Sequence, residues 1–150
     1  MPDSVEVLLK AVAPPRYAQP GDAGADLCST EDVSIAPGAR VTVPTGVAIA
    51  LPEGFAAFVV PRSGLASKHG ITVLNAPGTV DAGYRGEIRV TLLNTDAHEG
   101  YDVRVGDRIA QMIVMPVPAV RFVPVEELPE SVRGIGGFGS TGYADATGEV

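Results

Sequence analysis

Asp81 stands in GTVDAGYRGEIRV, residues 78–90, where a glycine-rich turn joins two apolar runs. A carboxylate there can cap the backbone N–H groups of its own turn, or it can act as a base beside a substrate. Four other stretches carry groups suited to a flat, anionic ligand. In AGADLCS, residues 23–29, small residues let the backbone pass close to a neighbour, and Asp26 offers a hard oxygen to a cation or its bound water. The same aspartate would also serve as a turn cap. In PRSGLASKHG, residues 61–70, Arg62, Ser63 and Gly64 open a short helical turn directly after an apolar run. A guanidinium, a hydroxyl and the first N–H groups together suit a phosphate, although a strand-exit turn with an N-cap serine has the same sequence. On either side of Asp81, Asn75 can present an amide to one edge of a base, and Tyr84 a ring to a sugar. In GDRIAQMIV, residues 106–114, Gln111 is polar among apolar neighbours. Arg133 and Phe138 are the large functional groups of the glycine-rich end.

The elements that must position these groups are short. With 18 Gly and 13 Pro in 150 residues, the chain is cut into brief runs of Val, Ile and Leu, the pattern of many strands. Strands are expected at residues 5–12, 33–36, 40–51, 55–60, 71–74, 87–94, 109–116 and 121–125. Over 87–94 the alternation is explicit, with Ile88, Val90 and Leu92 on one face and Glu87, Arg89 and Thr91 on the other. Only residues 64–69 suit a helix, of one or two turns. The expected fold is all-β, a jelly-roll-like barrel of short strands with at most one short helix. A β domain over residues 1–132 is followed by a glycine-rich arm, 133–150, expected to stay flexible until a ligand orders it.

Composition excludes several function classes. A formal net charge of −7 argues against non-specific nucleic-acid binding. One cysteine, Cys28, forms no intrachain disulfide and fits a reducing compartment. One Cys and two His leave no structural zinc site and no zinc-deaminase signature. The most apolar stretch, 41–61, is broken by Pro44, Gly46, Pro52, Glu53 and Gly54, so it does not span a membrane. No signal peptide is read at the N-terminus, and a cytoplasmic location is expected.

In this order and at this spacing, the five stretches resemble the five motifs of the homotrimeric dUTPase family, across nearly the whole chain. The most specific pieces are PRSGLA, NAPGTVDAGYRGE and RGIGGFGSTG. The resemblance implies hydrolysis of dUTP to dUMP and diphosphate, which limits uracil in DNA and supplies dUMP for dTMP synthesis. It implies that Asp81 holds and deprotonates the water that attacks the α-phosphorus. Arg62, Ser63, Gly64 and Gln111 would then hold phosphates, and Asn75, Thr79 and Val80 would read uracil. By the same resemblance Tyr84 packs on deoxyribose, Arg89 is a further substrate contact of variable type, Arg133 reaches the γ-phosphate and Phe138, followed by Gly139, covers the base. Magnesium chelated by the triphosphate is implied as cofactor, with Asp26 reaching its water shell, as is a homotrimer with shared sites. Ile135 departs from the family pattern, occupying a tail position that is often polar. Two rivals differ in class: a dCTP deaminase-like enzyme on the same fold, in which a glutamate carries the proton, and a non-catalytic trimeric nucleotide-binding protein.

Overall fold

The computed structural model describes residues 4–138 of the chain. Among them the apolar runs form β1 (Leu8–Ala11), β2 (Ala25–Cys28), β3 (Val33–Ile35), β4 (Arg40–Ala50), β5 (Phe55–Val60), α1 (Ser63–His69), β6 (Ile71–Val73), β7 (Gly78–Val80), β8 (Ile88–Asn94), β9 (Tyr101–Val103) and β10 (Arg108–Pro116). Pairing is antiparallel and builds two four-stranded sheets, ordered β1-β4-β8-β6 and β2-β10-β5-β7, with β3-β9 as a separate pair.

Period-two patterning explains the layering. β8 buries Ile88, Val90 and Leu92, and β4 buries Val43, Val47 and Ile49. These join Ala57 and Val59 of β5 and Ile109, Ala110 and Met112 of β10 in one apolar cluster shared by both sheets. Each sheet therefore hides one face against the other. The all-β, jelly-roll-like expectation holds, as a sandwich whose edge strands stay open rather than as a closed barrel. β4 is the longest strand, and its register against β8 slips between Pro44 and Val47. That slip is a β-bulge, which bends the strand beside the β7–β8 connection.

Contacts divide the chain into two compact units, Met1–Ala119 and Val120–Val150. Every strand above and α1 belong to the first. In the second, the described residues form no strand or helix, which corrects the strand expected at 121–125. Arg121–Val125 has the propensity, but a strand also needs a ladder partner, and Pro124 has no N–H to give one. Around Ser131–Gly136 the backbone closes a tight turn, with Gly134 N–H donating to the Ser131 carbonyl at 3.0 Å and Gly136 N–H to the Arg133 carbonyl at 3.2 Å. Among the described residues no helix is long and apolar enough to cross a membrane.

Candidate active site

The connection from β7 to β8, strands of different sheets rather than the two arms of a hairpin, carries the first half of the site. Within residues 75–90, Asn75, Gly78, Thr79, Val80, Asp81, Tyr84, Glu87 and Arg89 line one depression of about 190 Å³. Among the described residues β7 pairs only with β5, so its other side is an edge whose backbone groups can meet a flat ligand as a strand would. Gly78 is buried there; a Cβ on it would lie 3.4 Å from the Val59 Cβ and 3.5 Å from the Asn75 amide nitrogen. Asp81 is exposed at the rim. Its carbonyl accepts the Tyr84 N–H at 3.0 Å, and the Tyr84 hydroxyl donates to the Glu87 carbonyl at 2.9 Å. The turn is thus closed by its own backbone, leaving the Asp81 side chain out of the capping role that the sequence left open.

The second half forms where β5 ends. Arg62 occupies the N-cap of α1 with extended backbone, φ −91° and ψ 129°, and makes no side-chain cap. Ser63 is therefore the first helical residue, not an N-cap, and both it and Gly64 are exposed. The Arg62 guanidinium turns instead to Asp26, donating from Nε to Oδ1 at 3.1 Å, and to the Arg108 carbonyl at 3.3 Å. Strand order explains the meeting. β10 lies between β2 and β5, so Gln111 is flanked by Asp26 on one side and Val60 on the other. The small residues near Asp26 are needed for that approach: a Cβ on Gly24 would sit 3.0 Å from the Gln111 Cβ. Arg62, Ser63, Gly64, Lys68, His69 and Gln111 line a depression of about 240 Å³.

Asp26 is 6 % exposed, and both carboxylate oxygens face guanidinium groups, Arg62 at 3.1 Å and Arg108 at 3.5 Å. A buried carboxylate in this setting aims the two cations. Among the described residues no three His, Cys, Asp or Glu side chains are grouped to hold a metal ion. Asp26, the carboxylate expected beside a cation, has its oxygens turned to the Arg62 and Arg108 guanidiniums. Burial pushes the Cys28 thiol up, and the Asp26 charge pushes it the same way. The chain's cysteine is accordingly a poor nucleophile at neutral pH.

The structure brings together Asn75, Thr79, Val80, Asp81, Tyr84 and Arg89 in one place, and Arg62, Ser63, Gly64, Gln111 and Asp26 in another. Each depression is smaller than the ~300–1,000 Å³ of a complete ligand pocket. Arg133 lies in the second unit, its Nε donating to the Gly136 carbonyl at 2.7 Å. Phe138 is the last described residue, with φ 48°; Gly139 and residues 143–150 lie outside the described residues. Sequence reading missed Arg108 and Glu87. The charge of Arg108 was visible in GDRIAQ, but its partner Asp26 is 82 residues away. Glu87 was read only as a polar residue on the face opposite Ile88, Val90 and Leu92, and its carboxylate accepts the Gly46 N–H, 41 residues distant.

Comparison with known proteins decides the family. A dUTPase family model matches residues 10–142. The chain belongs to the dUTPase family. It is 68 % identical over 143 residues to the deoxyuridine 5'-triphosphate nucleotidohydrolase of Leifsonia xyli subsp. xyli, covering 95 % of this chain and 94 % of the relative. The protein of the same description from Thermobifida fusca is 66 % identical over 128 residues, 85 % of this chain and 72 % of the relative. Among solved structures, the dUTPase of Staphylococcus bacteriophage 80alpha with dUpNHpp superposes with a TM-score of 0.83 at 28 % identity, covering 94 % and 99 % of the two chains. A substituted dUTPase from phage phi11 of S. aureus, described with a coordinated structural Mg(II) ion, gives 0.74 at 25 % identity, covering 83 % and 98 %.

Proposed function

We propose that this dUTPase-family chain hydrolyses dUTP to dUMP and diphosphate, by attack of water on the α-phosphorus. The observation that carries the reading is one pocket in which Asp81, Asn75, the open edge of β7 and the Tyr84 ring converge. Asn75 with the Thr79–Val80 backbone reads the uracil edge, Tyr84 packs on the deoxyribose, and Arg89 adds a contact at the rim. Asp81 holds the attacking water and accepts its proton. A carboxylate is a weak base, so most of the rate enhancement comes from positioning and from charge placed around the phosphates. Arg62, held by Asp26, supplies part of that charge, and Ser63, Gly64 and Gln111 donate to phosphate oxygens. Magnesium bound with the triphosphate would neutralise part of its charge, and Asp26 is the carboxylate that would face it.

The base-and-sugar half and the phosphate half line separate depressions of one chain, which supports a site completed by another copy. Large apolar side chains exposed on the chain, among them Leu8, Phe122 and Leu128, support association as well. The assembly is read as a homotrimer with three shared sites. Arg133 and Phe138 reach the γ-phosphate and the base from the arm, which a neighbour donates and which orders over bound nucleotide. A cytoplasmic location fits this substrate.

The test is diphosphate release from dUTP beside UTP, dTTP and dCTP, with and without magnesium. Buried polar groups matched to uracil are left unpaired by cytosine, so dUTP is preferred over dCTP by roughly 10⁴–10⁵. Ammonia release from dCTP, or tight dUTP binding without turnover, contradicts the reading.

A further inference from the structure

Tyr84 is 46 % exposed, so packing alone does not hold its ring. Two other features do. Its hydroxyl donates to the Glu87 carbonyl at 2.9 Å, and its ring lies against the Cα of Gly86. Gly86 has no left-handed backbone that would require glycine. A Cβ there would nevertheless fall 2.6 Å from the Tyr84 Cζ, 3.0 Å from Cε2 and closer still to the hydroxyl. What would give way is the far end of the tyrosine, not the backbone. Position 86 is therefore glycine so that the ring can occupy this place.

The carbonyl that ties the ring is itself referenced to the core. The Glu87 carboxylate accepts the Gly46 N–H at 2.8 Å, inside the bulge of β4. Next to it, the buried Thr45 hydroxyl donates to the Ile88 carbonyl at 2.5 Å and accepts the Val47 N–H at 3.3 Å. Gly46 has φ +67°, and a Cβ there would approach Val12 to 3.0 Å and Thr30 to 3.1 Å, so the bulge requires glycine at this position. From Gly46 to Glu87 to Tyr84 runs a chain of contacts from the longest strand of the sandwich to a ring in the pocket.

We propose that Gly86 and Glu87 are positioning residues that fix the Tyr84 ring and so set the discrimination between deoxyribonucleotide and ribonucleotide. The inference rests on the reading that Tyr84 faces the sugar. An added hydroxyl is rejected only weakly by a wall that can retreat, and a ring tied at its tip and backed by Gly86 is held from retreating.

The test compares kcat/KM for dUTP, UTP and dCTP in the wild-type chain and in Tyr84→Phe, Gly86→Ala, Glu87→Ala and Glu87→Gln. Tyr84→Phe keeps the ring but cuts the tie; Glu87→Gln keeps an oxygen for the Gly46 N–H. The dUTP-over-UTP ratio is expected to fall about tenfold to a hundredfold in the first three, and to stay near wild type in Glu87→Gln. The dUTP-over-dCTP ratio, read by other groups, is expected to hold in all four. Unchanged dUTP-over-UTP ratios in Tyr84→Phe and Glu87→Ala overturn the proposal, as does a parallel fall of both ratios. A wild-type chain that turns over UTP as well as dUTP overturns the sugar-facing reading of Tyr84, and the inference with it.

Discussion

At the scale of single residues, Asp81 and Asp26 are one side-chain type in two opposite surroundings. Asp81 is exposed at the rim of a pocket, and its turn is closed by backbone hydrogen bonds. Asp26 is buried against two guanidiniums. Asp81→Asn keeps the size and removes the acceptor charge; it is expected to lower kcat on the order of 10²–10⁴ while KM changes little. Steady-state kinetics of the variant on dUTP check this, and full activity would return Asp81 to a turn residue. The candidate residues themselves were legible, because Asp, Arg, Ser and Gln stand out against apolar strands. Their partners were not. The pairing of Arg62 with Asp26 crosses 36 residues, and no local pattern encodes it.

At the scale of elements, runs with apolar alternation were read well even when short, as β3 and β6, each within one residue of its expected bounds, show. β5 matches its expected bounds, and β4 and β8 are each one residue shorter than expected. β2, β7 and β9 were missed, since three or four residues containing Asp or Gly show no period. They form because a neighbouring strand offers a ladder. The helix was expected from residue 64 and starts at Ser63. Its end is set by Gly70, at φ 65°, whose N–H reaches the Ala66 and Leu65 carbonyls. A Cβ at Gly70 would lie 2.8 Å from the Thr95 Oγ1, a group that donates to the Gly70 carbonyl at 2.7 Å. Gly70→Ala thus meets backbone strain and a clash together, and is expected to cost about 1–3 kcal/mol of stability. Denaturant unfolding measures it, and an unmoved midpoint would mean that α1 ends for another reason.

At the scale of the whole molecule, the all-β sandwich was legible from the density of Gly and Pro between apolar runs, whereas its open edges were not. Strand order is what puts the two halves of the proposed site in different places: the connection from β7 to β8 carries Asp81 and Tyr84, while β10, β2 and the end of β5 gather Gln111, Asp26 and Arg62. If copies share sites, a defect in one half can be complemented by the other half of a neighbour. Asp81→Asn supplies one defect. Arg62→Gln, which can still donate to Asp26 but carries no charge, supplies the other. Each variant alone is expected to hydrolyse dUTP poorly. Trimers containing both, isolated through two different tags, should regain activity, because about one site in three then has an intact half from each side. Mixed trimers of the expected mass, near three times 15.4 kDa, that remain as inactive as either parent would contradict a site built between copies.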